Sequence, residues 1–436
     1  MKLFVLHCCV AGMLLFPGQL SADWNRFRGP NGQGVAESDQ PISPEISAEK
    51  NLKWRTELPG SGTSSPIVVG DRVYVTAYTG YGLDMKAPGE ESKLLRHLLA
   101  FDRDSGEEVW RADVPSTGKI LPFRGFVCQH GYASSTPTSD GEYVYVFFGS
   151  TGLIKFDRDG EEVWRTKLGN QTDPAGYGDG SSPIVWKNYV LVNASAVGRQ
   201  LVAVDQATGE VVWSVEDESF TNTWSSPVIA STEQGDRVLF GVPGSIVAID
   251  PSNGEQVWKA DTPLRDAVCG SICVKEGVAY IMGGRAGNAI AIKMGGEGDV
   301  SETNTLWQTS LRSGICTPAI VGKNIYWCSG GIFYAADLAT GSYVYKERLP
   351  RLGGPTGGFP NADYSSPIAS GDSIVQFTRN GESYVIAAGD EFTTISHNAA
   401  FEDDETSFSS TPAISDGELF MRSEKYLYAI ASPSSK

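Results

Sequence analysis

The segment Ala203-Val204-Asp205-Gln206-Ala207-Thr208-Gly209-Glu210-Val211-Val212-Trp213 constrains this chain more than any other, because it recurs. An apolar strand from Leu201 to Val204 leads into a polar turn. Gly209 closes that turn, and a second strand from Val211 to Val215 carries a large aromatic. Asp205 and Thr208 are suited to hydrogen-bond the turn backbone, and Gly209 supplies the positive φ that other residues resist. The segment therefore predicts a β-hairpin. Close relatives of it stand at Ala100 to Trp110, Phe156 to Trp164, Ala248 to Trp258 and Ala335 to Tyr345. A fifth unit is looser, with Gly295 to Glu302 inserted before Leu306-Trp307, and a seventh ends near Phe392 to Ile395 without the tryptophan.

Each hairpin is preceded by a small-residue corner that opens an apolar strand. These corners are Ser64-Ser65-Pro66, Ser135-Thr136-Pro137, Ser181-Ser182-Pro183, Ser225-Ser226-Pro227, Gly270-Ser271-Ile272-Cys273, Cys316-Thr317-Pro318, Ser365-Ser366-Pro367 and Ser410-Thr411-Pro412. After the first unit, which carries an inserted loop around Tyr78 to Arg96, they fall at roughly 45-residue intervals, the period of a four-stranded propeller blade. The eighth unit stops after a third strand, Tyr426 to Ile430. A strand without a hairpin, Leu52 to Leu58, stands alone near the start. Pairing the two supplies the missing strand and removes two exposed edges. The predicted fold is all-β: an eight-bladed β-propeller of four-stranded antiparallel blades, closed by an N-terminal strand near Trp54. A seven-bladed or broken ring is the alternative.

Residues 1–22 have the form of a secretory signal: Lys2, an apolar run from Leu3 to Phe16, and Leu20-Ser21-Ala22 as a small-residue cleavage site. An exported, periplasmic or extracellular chain is expected. An extended arm over 23–50, the propeller over 51–432 and a tail over 433–436 would follow. No later stretch approaches the roughly 20 apolar residues of a membrane span. The chain has 35 basic and 52 acidic residues, and loss of Lys2 with the signal leaves 34 against 52. Such a surface repels phosphate backbones and anionic headgroups, which argues against nucleic acid as a partner. A monomer is expected.

Outside the signal the cysteines are Cys128, Cys269, Cys273, Cys316 and Cys328. On one strand Cys269 and Cys273 would lie about 13 Å apart at about 3.3 Å per residue, too far to bridge each other. Either of them meeting Cys316 or Cys328 on the next repeat, or all five packing as buried thiols, are the open readings. Asp-rich turns such as Asp102 to Gly106 and Asp250 to Gly254 lack the longer ligand series and closing Glu of a calcium loop, and they sit where a hairpin needs turn residues. His97, His130 and His397 have no metal-type spacing.

Residues just before each corner differ from blade to blade, unlike the repeated scaffold. Entering the innermost strands, they should surround one mouth of the central channel. Arg124, His130, Tyr132, Asp179, Trp224, Arg265, Asp266, Arg312, Asp363 and Tyr364 are the candidate ligand-binding residues, with Phe126, Gly131, Tyr177, Asn222 and Phe408 on the same rim. Their mixed aromatic, cationic and acidic character suits a small polar ligand or a protein partner.

The Ala-x-Asp-x-x-Thr-Gly-x-x-x-Trp unit, complete at Ala203 to Trp213, resembles the tryptophan-docking motif of the pyrroloquinoline-quinone (PQQ) type β-propellers. The opening at Trp24 to Gly34 is similar to that of the exported propellers of planctomycete-type bacteria. The resemblance implies the propeller fold. It leaves three roles within its range: a quinoprotein dehydrogenase using PQQ and calcium, a cell-envelope assembly factor, and a non-catalytic binding scaffold. In the dehydrogenases it implies a disulfide between adjacent cysteines over the quinone, a calcium site and a catalytic Asp. Here the adjacent cysteines are Cys8 and Cys9, inside the expected signal. A non-catalytic scaffold with no cofactor is the expectation, with a PQQ-dependent oxidoreductase as the alternative.

Overall fold

A computed structural model describes residues 23–37, 40–284, 287–311, 313–350 and 364–431. The expected signal and tail, as well as Arg312 and Asp363, lie outside them. The strands form eight sheets. Blade 3 is representative: Ile184–Trp186, Tyr189–Asn193, Gln200–Asp205 and Val211–Glu216 pair antiparallel in sequence order. In blade 8, Ala413–Ser415, Glu418–Arg422 and Tyr426–Ile430 are completed by Leu52–Glu57, which pairs antiparallel with Tyr426–Ile430. The ring is an eight-bladed β-propeller, closed by a strand from each end of the chain.

Period-two alternation explains why the blades stack. Leu201 and Ala203 point into the core shared with blade 4, beside Phe240 and Val247. Val202 and Val204 point the other way, into the core shared with blade 2, beside Tyr145 and Phe147. A strand buried on both faces needs apolar residues at consecutive positions, and Leu201 to Val204 supplies them.

The hairpin motif works between blades. Asp205 Oδ1 accepts the backbone N–H groups of Ala207 and Thr208. These bonds hold its carboxyl below the usual carboxylate range and account for the Asp without a metal. Gly209, at φ +74°, lies flat under the Trp164 ring of the preceding blade, and a Cβ there would sit 2.7 Å from the indole. Trp164 Nε1–H donates to Gln206 O at 3.0 Å. Trp110 to Arg158 O, Trp213 to Pro251 O and Trp307 to Leu338 O repeat the contact. Trp54, on the closing strand, docks in the same way on the first blade through Arg103 O and Gly106. Trp258 is the exception, a buried indole N–H with no acceptor among the described residues. The next blade has an insertion in place of the docking turn. That insertion adds Gly298–Asp299 as a parallel fifth strand on Gln256–Asp261.

At the axis a second device closes the ring. The second residue of every corner accepts, on its hydroxyl, the backbone N–H of the equivalent residue one blade earlier. The chain of bonds runs Ser65 to Thr136, Ser182, Ser226, Ser271, Thr317, Ser366 and Thr411, and Thr411 N–H returns to Ser65 Oγ. All eight distances lie between 2.9 and 3.1 Å.

The arm crosses one end of the channel. Trp24, buried, exchanges backbone hydrogen bonds with Val68 of blade 1, while Asn25 O accepts the Ser139 N–H of blade 2 and its side-chain Nδ2 donates to Ser139 O. Gln33 Oε1 accepts from Val274 of blade 5, while Gly34 O and Ala36 N–H pair with Ala369 of blade 7. Fully buried Arg28 donates to Pro318 O and Pro367 O, on blades 6 and 7. Five blades are thereby tied together under the ring.

Candidate functional site

With one end crossed by the arm, the channel forms a cup of about 440 Å³, within the range of about 300–1,000 Å³ seen for small-molecule sites. Phe27 of the arm forms part of its lining, and the eight corner hydroxyls circle its wall. Around the mouth stand Phe126, His130, Tyr177, Trp224 and Tyr364. Phe126 meets Tyr177 edge-on at 4.5 Å, and Tyr177 lies 5.0 Å from Trp224, so three aromatics from consecutive blades form one arc. Trp224 Nε1–H donates to Gly178 O, which fixes the indole. Tyr364, from blade 7, is backed by Arg379 at 5.2 Å, and Arg379 is held by Gln129 Oε1.

His130 bridges Tyr177 O through Nε2 and Ser134 Oγ through Nδ1. A carbonyl only accepts, so Nε2 carries the proton and Nδ1 takes the Ser134 hydroxyl. Burial pulls the imidazole pKa down, and the ring is neutral at pH 7. Cys269 also lines the cup, and burial pushes its thiol up to about 12. Among the described residues no Asp, Glu, Lys or Arg lines the cup.

Of the sequence candidates, His130, Trp224 and Tyr364 line the cup. Tyr132 and Asp179 do not: they face a separate side pocket of about 30 Å³ between the first blades, with Arg96, Asp173 and Gly149. Tyr132 is packed against Tyr78 and Tyr81, and its hydroxyl donates to Leu121 O, which turns it from the axis. Asp179 occupies the space that Gly149 leaves by having no side chain. Burial raises its pKa to about 6, with Arg96 opposing the rise. Arg124, Arg265 and Asp266 are exposed and outside the lining. Sequence reasoning missed Phe27 and the part of the corner hydroxyls that faces the channel. A usable signal existed for the hydroxyls, since the second corner position is Ser or Thr in all eight units, whereas the first includes Gly270 and Cys316.

PQQ is a planar tricarboxylate, and its calcium takes about six to eight oxygen ligands, carboxylates among them. The described lining offers neither cations for the acid groups nor carboxylates for the metal. No cluster of three or more His, Cys, Asp or Glu suited to a metal exists among the described residues. The described donor set does not fit this cofactor pair.

Docking tryptophans, the eight-blade ring and a mouth-side cup define the class as a PQQ-type β-propeller. The family model described as "Outer membrane protein assembly factor BamB" matches residues 96–347, and the chain belongs to that family. The outer membrane protein assembly factor BamB of Burkholderia pseudomallei (strain K96243) is 23% identical over 296 residues, covering 66% of this chain and 66% of that protein. The match thus spans about two thirds of the curated relative's length. Among solved structures, BamB from Moraxella catarrhalis superposes with a TM-score of 0.59 at 14% identity, over 88% of this chain and 99% of that one. A europium-containing methanol dehydrogenase superposes at 0.65 with 12% identity, over 94% and 98%. Catalytic and assembly proteins are both similar to this chain in fold, so the scaffold by itself does not choose between them.

Proposed function

We propose that this chain is an exported, non-catalytic binding scaffold that takes a small ligand or a partner segment through the open mouth of its channel. One observation carries the reading. The cup keeps the family scaffold around it, yet its described lining is uncharged and offers no cation for the acid groups of a quinone cofactor and no carboxylate for its metal. Dye reduction by the purified protein, with PQQ and calcium added, tests it. No reduction and no saturable PQQ binding are expected, and PQQ-dependent turnover would overturn the reading in favour of a quinoprotein oxidoreductase.

A second reading, a cell-envelope assembly factor, is supported by family membership and by one structural observation. The outer edge of blade 4 accepts an added strand, Gly298–Asp299, by backbone pairing, the mode by which extended segments of other proteins join a sheet edge. Photo-crosslinking in cells from position 212, an exposed valine on the outer strand of blade 3, should then recover an outer-membrane protein or its assembly machinery. Recovery of no envelope protein would count against this second reading.

A further inference from the structure

We propose that the cup is a seat for a neutral saccharide unit, held between the aromatic arc and the ring of corner hydroxyls. This rests on the reading of the channel as a binding site and names the class of ligand it takes.

The hydroxyl ring is the first argument. Each of the eight oxygens accepts one backbone N–H from the neighbouring blade. A hydroxyl has one hydrogen to give and two lone pairs. Accepting that N–H leaves each with a hydrogen and a lone pair. None of the eight donates to another protein group among the described residues, and all eight line the cup. The channel wall is therefore a circle of groups that each donate and accept. Carboxylates and phosphates call for donors backed by positive charge, and cations call for carboxylates or several unencumbered oxygens. A polyhydroxylated neutral ligand calls for the mixture found here.

Aromatic faces are the second argument. The negative π face of an indole or phenol attracts the weakly positive C–H groups on one side of a pyranose ring. Tyr177 and Trp224, 5.0 Å apart with planes at 41°, form an angled platform at the mouth, and Tyr364 stands on another blade of the same lining. The platform is pinned: Trp224 donates to Gly178 O, and His130 holds the Tyr177 carbonyl. A fixed platform loses little entropy when it binds.

Neutrality is the third. His130, Cys269 and Tyr364 are all uncharged at pH 7 by the direction of their shifts. A sugar acid entering this cup would leave its carboxylate without a described cation in the lining.

The test is calorimetric titration of the whole protein with methyl β-glucoside, N-acetylglucosamine and cellobiose, set against glucuronate and PQQ. At least one neutral probe is expected to bind saturably, and glucuronate on the order of tenfold or more weaker. Trp224→Ala should weaken that binding by on the order of tenfold or more. Thr317→Val keeps shape while removing one ring hydroxyl together with the acceptor of the Ser271 N–H, and it should weaken binding while the unfolding midpoint reads the cost to the ring separately. Circular dichroism and the unfolding midpoint check that each variant is folded. A flat response to every neutral probe, or binding unchanged in Trp224→Ala, overturns the saccharide assignment while leaving the non-catalytic reading standing. PQQ-dependent dye reduction would instead overturn that underlying reading.

Discussion

Gly209→Ala tests the blade-docking argument where it is sharpest. Two costs add at this position. An L-residue held near φ +74° pays about 1–2 kcal/mol for the left-handed backbone. The new methyl would also lie 2.7 Å from Trp164 Cδ2, well inside the contact distance of about 3.5–4.0 Å. The indole must therefore move, which adds about 1–3 kcal/mol of overpacking strain. Moving it also loosens the Nε1–H bond to Gln206 O, worth about 1 kcal/mol. The expected total is about 3–6 kcal/mol. Gly70→Ala is the internal control, since Gly70 has φ +57° but nothing within 4 Å of its Cβ position. It should cost the backbone term of about 1–2 kcal/mol and no more. Equilibrium denaturation in guanidinium, followed by circular dichroism, compares the two. In a Trp164→Ala background the obstacle is gone, and Gly209→Ala should fall to the control value. Equal costs for Gly209→Ala and Gly70→Ala in the wild-type background would refute the claim that this glycine is there for the indole.

Two further predictions come from exceptions to the repeat. Trp258 has a buried N–H with no acceptor among the described residues, so Trp258→Phe should cost about 1 kcal/mol less than Trp213→Phe, which breaks the bond to Pro251 O; equal shifts of the denaturation midpoint would count against the docking account. Asp179 has a folded pKa raised to about 6 from 3.8. The folded state then holds a proton that the unfolded state has lost, and its contribution to stability falls as pH rises from about 4 to about 6, then stays level. The difference between wild type and Asp179→Asn, measured by denaturation from pH 4 to pH 8, should follow that slope with an amplitude on the order of 1–3 kcal/mol. A flat difference curve would show that the carboxyl is not buried against the glycine and Arg96.

The fold was legible because each blade is built from local chemistry. Asp205, Thr208 and Gly209 make a turn whatever surrounds them, and the alternation from Leu201 to Val204 fixes a strand with two apolar faces. Repetition then supplied the global arrangement, since one hairpin determines little and eight spaced evenly determine a ring. The cup was legible only in outline. His130 and Tyr132 are two residues apart, yet one lines the cup and the other the side pocket. His130 ends the short helix Val127–His130 and Tyr132 lies in the irregular stretch beyond it, where no period assigns side chains to faces. Phe27 was out of reach for a different reason. Its place depends on the arm passing beneath the ring, and that path is fixed by partners more than 200 residues away, Val274, Pro318 and Pro367.

The three closures of the ring also bear on where function can reside. At the axis, Thr411 N–H bonds Ser65 Oγ; at the blade, Leu52–Glu57 pairs with Tyr426–Ile430; at the docking turn, Trp54 N–H reaches Arg103 O. The first and third join the last blade to the first through the same contacts that join neighbouring blades elsewhere, while the strand pairing completes blade 8 itself. The corner hydroxyls thus serve two ends at once. Their oxygens accept the N–H bonds that hold the ring shut, and the same residues line the cup. A scaffold that needs Ser or Thr at this position in every blade presents a polar, uncharged channel wall as a consequence of its own closure. On the proposed binding reading, discrimination among ligands would come from the residues free of that duty: the mouth aromatics Phe126, Tyr177, Trp224 and Tyr364, and Phe27 on the arm. Changes there would alter such a preference without touching the contacts that hold the propeller together, in keeping with a fold that hosts more than one activity.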